Sequence, residues 1–202
     1  PTVDARIGTS MKSTGEVMAI GRTFEESLMK AVRSLEVNKV GLEPESWSEE
    51  ALRAELERPT DKRLFAVAEA LRRGYKIAEV ARLTAWDPFF IEKMRNLVAM
   101  ESRLQGRLSR PILAEAKRLG FSDAYIARLV GQREEQICRR RPRVAYKMVD
   151  TCGGEFEART PYYYATHEAG DEVVPLKGKK VLIVGAGPIR IAQGVEFDYC
   201  TV

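Results

Sequence analysis

The chain has 202 residues, 45% of them hydrophobic and 31% charged, with a formal net charge of +4. That is enough apolar material for one core, or two small ones. No apolar run approaches the ~20 residues of a membrane-spanning helix. The mild basic surplus permits a nucleic-acid partner without demanding one.

The opening stretch, PTVDARIGTS, lacks a basic-then-apolar leader pattern, and the cysteine usage makes a reducing cytoplasm the expected setting. Cys138, Cys152 and Cys200 are far apart and show no CxxC spacing. That argues against a disulfide framework or a zinc site, and no metal site is expected. His167 is the only histidine, which excludes a multi-histidine metal cluster. It reads as a surface residue in a loop-like stretch.

Residues 1–21 carry Gly8, Gly15 and Gly21 and little periodicity; a turn between short extended pieces is expected. Thr23 and Glu26 have the spacing of a capping box, and Phe24, Leu28, Ala31 and Leu35 follow at helical spacing. Ser46 with Glu49 makes a second such box before EEALRAELE. Pro59 and Thr60 open another helix, which Gly74 can close. Asp87-Pro88 is a strong start signal for the run FFIEKMRNLVAMESRL. Ser109 to Leu119 forms another helix, closed by Gly120.

This region repeats itself. Gly74-Tyr75 returns as Gly120-Phe121, and Val80-Ala81-Arg82-Leu83 as Ile126-Ala127-Arg128-Leu129. Ala85 matches Gly131, Ile91 matches Ile137 and Arg95 matches Arg141, all at one offset. Each copy reads helix, Gly-aromatic turn, short helix, tight turn, helix. Two stacked helical units that bury their apolar faces on each other are expected.

From Lys147 to Gly178 the helical pattern fails, and an extended connector is expected. In an extended chain Tyr162 and Tyr164 point one way and Tyr163 the other. The tyrosines read as a clamp onto the chain's own helical domain, or as a partner contact. The fold class expected is therefore mainly α: two repeated helical units, an extended connector, then the first strand, turn and helix of a Rossmann-like α/β domain.

Three chemistries can be weighed on these residues. Lys180–Val184 reads as a buried strand before the turn Gly185-Ala186-Gly187, but Arg190 stands where a dinucleotide fingerprint needs its third glycine. A nucleotide cofactor is not expected there, and no Walker lysine follows. The second copy of the repeat has a helix-turn-helix form, and residues 101–150 hold twelve Lys and Arg against six Asp and Glu. Glu134 and Glu135, however, open the would-be recognition helix, where phosphates and base edges would lie. A nucleic-acid binder is thus the alternative reading rather than the leading one. Glu16, Glu196 and Asp198 are carboxylates that spacing alone cannot pair.

Several longer stretches resemble a known family. MKSTGEVMAIGRTFEESLMKAVRSLE and VGAGPIRIAQGVEFDYC closely resemble carbamoyl phosphate synthetase large chains. YKMVDTCGGEFEARTPYYYATHE is similar to that family's connector, and GYKIAEVARLTAWDPFFIEKM to its helical oligomerisation domain. The resemblance implies a central piece of such a chain. Residues 1–21 would be the tail of the first synthetase half, 22–147 the oligomerisation domain, 148–178 the connector, and 179–202 the start of the second-half pre-ATP-grasp domain.

The resemblance further implies an ATP-dependent ligase. It makes carbamoyl phosphate from bicarbonate, ammonia and two ATP, for arginine and pyrimidine synthesis. ATP with Mg or Mn, and K, would serve the full-length enzyme but bind outside this piece. A glutamine amidotransferase small chain would supply ammonia, and the helical domain would self-associate. No nucleic acid or membrane is implied, no catalytic residue falls within the piece, and alone it would be inactive. Residues matching Met11, Thr14 and Glu16 line a carbamate tunnel in the family's first half, and those matching Arg190, Gly194 and Glu196 line it in the second. Ala186, Ile189 and Ala192 depart from the family motif, which puts the detailed tunnel wall in doubt but retains those three residues.

Overall fold

The structure is a computed structural model that describes Asp4 and residues 6–10, 17–160 and 162–184. Among the described residues the fold is mainly helical. The helices are α1 (Phe24–Ser34), α2 (Glu49–Glu57), α3 (Arg63–Arg72), α4 (Ile77–Thr84), α5 (Pro88–Gln105), α6 (Arg110–Arg118), α7 (Asp123–Val130) and α8 (Glu134–Arg140). Two short strands follow, β1 (Ala145–Met148) and β2 (Tyr163–Thr166). No described helix is long and apolar enough to cross a membrane.

Helix starts follow their caps. Thr23 Oγ1 accepts the Glu26 N–H at 3.2 Å, while the Glu26 carboxylate accepts the Arg22 N–H at 2.7 Å. Asp87 accepts from the Phe89 N–H at 2.8 Å, with Pro88 in the first turn of α5. Ser109 caps α6 as expected. The second box is displaced: Ser48, not Ser46, caps α2 by accepting from the Ala51 N–H at 3.2 Å. Glu49 therefore lies in the first helical turn, where a carboxylate meets the positive end of the helix dipole, rather than three residues further on.

The repeat is a structural one. After α3, the Gly74 N–H reaches Leu71 O and the Tyr75 N–H reaches Ala70 O. After α6, the Gly120 N–H reaches Lys117 O and the Phe121 N–H reaches Ala116 O. These are two copies of one Schellman stop, and both glycines have φ of 86°. The next stop repeats too. Ala85 after α4 and Gly131 after α7 are both left-handed, with φ of 57° and 63°. Alanine pays a steric cost there that glycine avoids.

The longest helix, α5, is the spine. It packs against α3 and α4 of its own unit, against α6 and α7 of the second unit, and against α1. One continuous core results, including Met29, Leu42, Leu52, Leu56, Ile91, Met94, Leu97, Leu104, Leu113, Phe121, Tyr125 and Ile137. Burying side chains of this size stabilises the fold by roughly 1.5–3 kcal/mol each before entropy is charged. The buried stripe of α1 is offset from the expected one. Met29 and Val32 are buried together with Glu25 and Glu26, whereas Leu28 only packs against the core edge. The two acids are tolerated because both are paired: Glu25 with Asn96 at 3.0 Å, Glu26 with Lys30 at 2.8 Å.

The connector does more than extend. β1 and β2 pair antiparallel, with Tyr146 opposite Ala165 and Lys147 opposite Tyr164. Thr166 points inward and Tyr163 outward, the alternation expected of a strand. Tyr164 lies under the Lys30 ammonium, 5.5 Å from its ring centre, so the clamp onto the helical domain is observed. At the other expected strand the structure differs. Residues 180–184 form no strand, and Val181 and Leu182 are 88% and 89% exposed. A parallel strand is stable only between neighbours, and among the described residues the two strands present pair with each other. Residues 185–202, with the glycine turn, lie outside the described residues.

Candidate functional site

All six residues expected to line a tunnel, Met11, Thr14, Glu16, Arg190, Gly194 and Glu196, lie outside the described residues, as do Cys200 and Asp198. Cys138 and Cys152 are free thiols. No cluster able to hold a metal occurs among the described residues.

The polar site that the described residues do form lies where α1, the α6–α7 turn, the start of α8 and β2 converge. Its cavity measures about 330 Å³ and is lined by Lys30, Arg33, Lys117, Asp123, Arg141, Thr166 and His167, among others. Of these, His167 reads from the sequence as a surface residue and Arg141 as a match within the repeat. The structure makes His167 half-buried.

Each charged group at this cleft can be traced to an element. Lys117, on the last turn of α6, donates to the Phe121 carbonyl at 2.7 Å and to Asp123 at 2.8 Å. Burial pushes its pKa down, opposed by the Asp123 carboxylate. Arg141, just after α8, closes on the other Asp123 oxygen at 2.6 Å. Arg33, on the last turn of α1, spends one nitrogen on two carbonyls, Met29 at 3.2 Å and Gly120 at 2.6 Å. It forms no salt bridge with a carboxylate among the described residues, and burial pushes its pKa down. Burial also lowers the His167 pKa, reinforced by Lys117 and Arg141 and opposed by Asp123 and the Pro142 carbonyl.

Two polar atoms here have no hydrogen-bond partner: Thr166 Oγ1 and His167 Nδ1. Thr166 is only 2% exposed. A buried hydroxyl without a partner costs about 1–3 kcal/mol.

The signal for this site was present in the sequence as a departure within the repeat. Lys117 and Asp123 occupy the positions of Leu71 and Ile77 in the first unit. One copy keeps an apolar pair; the other replaces it with a buried ion pair. Buried charge of this kind is costly unless fully paired, and Asp123 is paired by both Lys117 and Arg141.

A second surface feature lies at the start of α5. Phe89 and Phe90 are 52% and 42% exposed, and Phe90 packs on Phe24 with ring centres 5.3 Å apart. Beside them, an apolar groove of about 490 Å³ is lined by Phe24, Leu28, Leu64, Trp86 and Met94.

The described residues thus form a duplicated helical unit on a shared spine, clamped by a two-stranded connector. Residues 16–145 match the family model for the carbamoyl-phosphate synthetase large chain, oligomerisation domain. Residues 177–202 match the carbamoyl phosphate synthase preATP-grasp domain. The chain belongs to the carbamoyl phosphate synthase large-chain family. It is 50% identical to the carbamoyl phosphate synthase large chain of Methanothrix thermoacetophila, over 98% of this chain and 19% of that protein. It is 52% identical to that of Methanothermobacter thermautotrophicus, over 99% of this chain and 19% of that protein. Against that of Clostridium perfringens the identity is 48%, over 98% of this chain and 20% of that protein. The chain thus spans about a fifth of the length of the curated relatives it matches.

Proposed function

We propose that this chain acts as the central part of a glutamine-dependent carbamoyl phosphate synthetase large chain, an ATP-dependent ligase of the cytoplasm. In this reading residues 1–21 close a first synthetase half, 22–147 form the oligomerisation domain, 148–178 connect, and 179–202 open a second half. The observation that carries it is the order of the two matched domains, oligomerisation at 16–145 and preATP-grasp at 177–202. The complete enzyme makes carbamoyl phosphate from bicarbonate, ammonia and two ATP. It uses ATP with Mg or Mn, and K, at sites outside this chain, and takes ammonia from an amidotransferase small chain. The helical domain self-associates; the exposed aromatic groove at the start of α5 supports this, since monomers seldom leave such a patch open. The nucleic-acid-binding alternative has no support: α8 opens on Glu134 and Glu135, and the matched relatives are named as synthases.

Met11, Thr14, Glu16, Arg190, Gly194 and Glu196 are assigned to the wall of a carbamate passage. Carbamate decomposes in water, so such a path has to exclude solvent. Gly194 leaves room because it lacks a side chain. In the full-length enzyme, Gly194→Trp tests this. The expected result is bicarbonate-dependent ATP hydrolysis that survives while carbamoyl phosphate made per ATP falls sharply. An unchanged yield per ATP in a folded variant rejects the assignment. A parallel loss of both activities with a lowered melting temperature shows instead that Gly194 serves packing.

A further inference from the structure

We infer that the cleft between α1, the α6–α7 turn and β2 is a binding site for a phosphate-type oxyanion, free or as a phosphate monoester. This stands independently of the passage assigned above, which uses none of the same residues.

Charge points to an anion. Lys30, Arg33, Lys117 and Arg141 face the cleft against Glu26, Asp123 and Glu134. Two of the carboxylates are already matched, Glu26 by Lys30 and Asp123 by both Lys117 and Arg141. Glu134 is exposed on the rim. Arg33 makes no salt bridge among the described residues, the charges of Asp123 and Glu26 acting on it only from beyond contact distance, and its two carbonyl bonds occupy a single terminal nitrogen. A guanidinium with donors to spare suits a tetrahedral oxyanion.

The unpartnered atoms point the same way. Thr166 lines the cleft and is all but fully buried, and its hydroxyl makes no hydrogen bond. A hydroxyl can donate to an anionic oxygen, and Thr166 is held in place by the β1–β2 pairing opposite Ala145. His167 Nδ1, on the next residue, is also without a partner. Neutral, it accepts from a protonated phosphate oxygen; protonated, it donates to an ionised one. An isolated buried hydroxyl could be met by water alone. A spare guanidinium, a spare hydroxyl and a spare imidazole nitrogen on one cavity of about 330 Å³ are better matched by one multivalent anion. The cleft-facing copy of the repeat is also the one in which the Leu71 and Ile77 positions have become Lys117 and Asp123. The second unit carries charge at these two positions and the first does not.

His167 is the only histidine in the chain, so one set of imidazole NMR signals reports from the cleft itself. The 202-residue chain is titrated with inorganic phosphate, with sodium chloride at matched ionic strength, and with acetate. The expected result is a saturable shift of the imidazole signal with phosphate, absent with chloride and much weaker with acetate. Thr166→Val, which keeps shape and removes the hydroxyl, should weaken phosphate binding about tenfold or more. Arg33→Met should weaken it at least as much; if that variant fails to fold, Thr166→Val decides. No saturable shift, an equal shift with chloride, acetate binding as tight as phosphate, or unchanged affinity in Thr166→Val would each overturn the proposal.

Discussion

The Tyr125 hydroxyl of α7 lies 2.7 Å from Oε1 of Glu101 on α5, and this contact ties the second helical unit to the first. The same carboxylate takes a two-pronged contact from Arg72 of α3, at 2.7 and 2.9 Å. Arg72 and Tyr125 also both reach the Leu42 carbonyl in the loop after α1. Three helices and a loop thus share one buried polar knot. Burial, followed by the nearby Glu101 charge, pushes the Tyr125 phenol well above its ordinary range, so it remains a neutral donor.

Tyr125→Phe should therefore cost about 1–3 kcal/mol, because the one phenol proton shared between the Glu101 carboxylate and the Leu42 carbonyl is lost from a buried site. The ring itself, stacked on Phe121 at 5.6 Å, stays. Arg72→Met should cost more, about 3–5 kcal/mol, since it strands a buried carboxylate. Urea midpoints of the two variants check this. A Tyr125→Phe midpoint equal to that of the parent would show that the hydroxyl contact contributes nothing.

Gly74 and Gly120 hold the same place in the two Schellman stops, with the same φ of 86°, yet they should respond differently to alanine. A Cβ on Gly74 meets nothing within 4 Å, so only the left-handed strain is added, about 1 kcal/mol. A Cβ on Gly120 would sit 2.9 Å from the backbone of Glu26, which cannot step aside. Gly120→Ala should also displace the carbonyl that Arg33 holds at 2.6 Å. The expected loss exceeds that of Gly74→Ala by about 1–3 kcal/mol, the usual cost of overpacking. Equal thermal midpoints for the two variants would contradict the close approach of α1.

His167 makes stability depend on pH with a definite sign. Its folded pKa lies below the ordinary value of 6.5, chiefly through burial. Between those two values the unfolded chain binds more protons than the folded one, so stability rises with pH. The chain should lose stability as pH falls through 6.5, and the loss levels off once the folded imidazole also titrates. His167→Gln removes this slope. Denaturation midpoints at about pH 7.5 and pH 5.5 test it; a His167→Gln variant with the parent's slope would assign the effect to other groups.

What the sequence made legible was local. Caps such as Thr23 and Asp87 and the glycine stops depend on residues within one turn of each other, the repeat on a comparison of two stretches of the same chain, and the structure has them. Ser46 has the capping-box spacing to Glu49, but Ser48 is the cap, because the path of the preceding loop and not the spacing decides which serine meets the helix start. The buried stripe of α1 differs from the expected one because Glu25 is partnered by Asn96 of α5 and Glu26 by Lys30 within α1, so both acids are buried, which polarity alone does not predict. The cleft was illegible for the same reason. Arg33, Lys117, Arg141 and Thr166 are brought together only by the packing of α1 on the α6–α7 turn and by the pairing of β1 with β2. The substitution of Leu71 and Ile77 by Lys117 and Asp123 was visible in the repeat, but as a mismatch without a direction.

The Lys30 ammonium reaches the carbonyls of Ile20, before the first helix, and Ala165, after the last, at 2.8 and 2.7 Å. The backbone enters and leaves the helical bundle at almost the same point. The bundle is therefore a pendant on a narrow stem rather than a beam set between two supports. A pendant can be lengthened, turned or removed without changing the distance the chain spans at its base, which is the condition under which whole domains are gained and lost. Tension applied along the chain at residues 20 and 165 would load the stem first and leave the core unstrained, so the Lys30 contacts, and not the bundle, would be the first to give way.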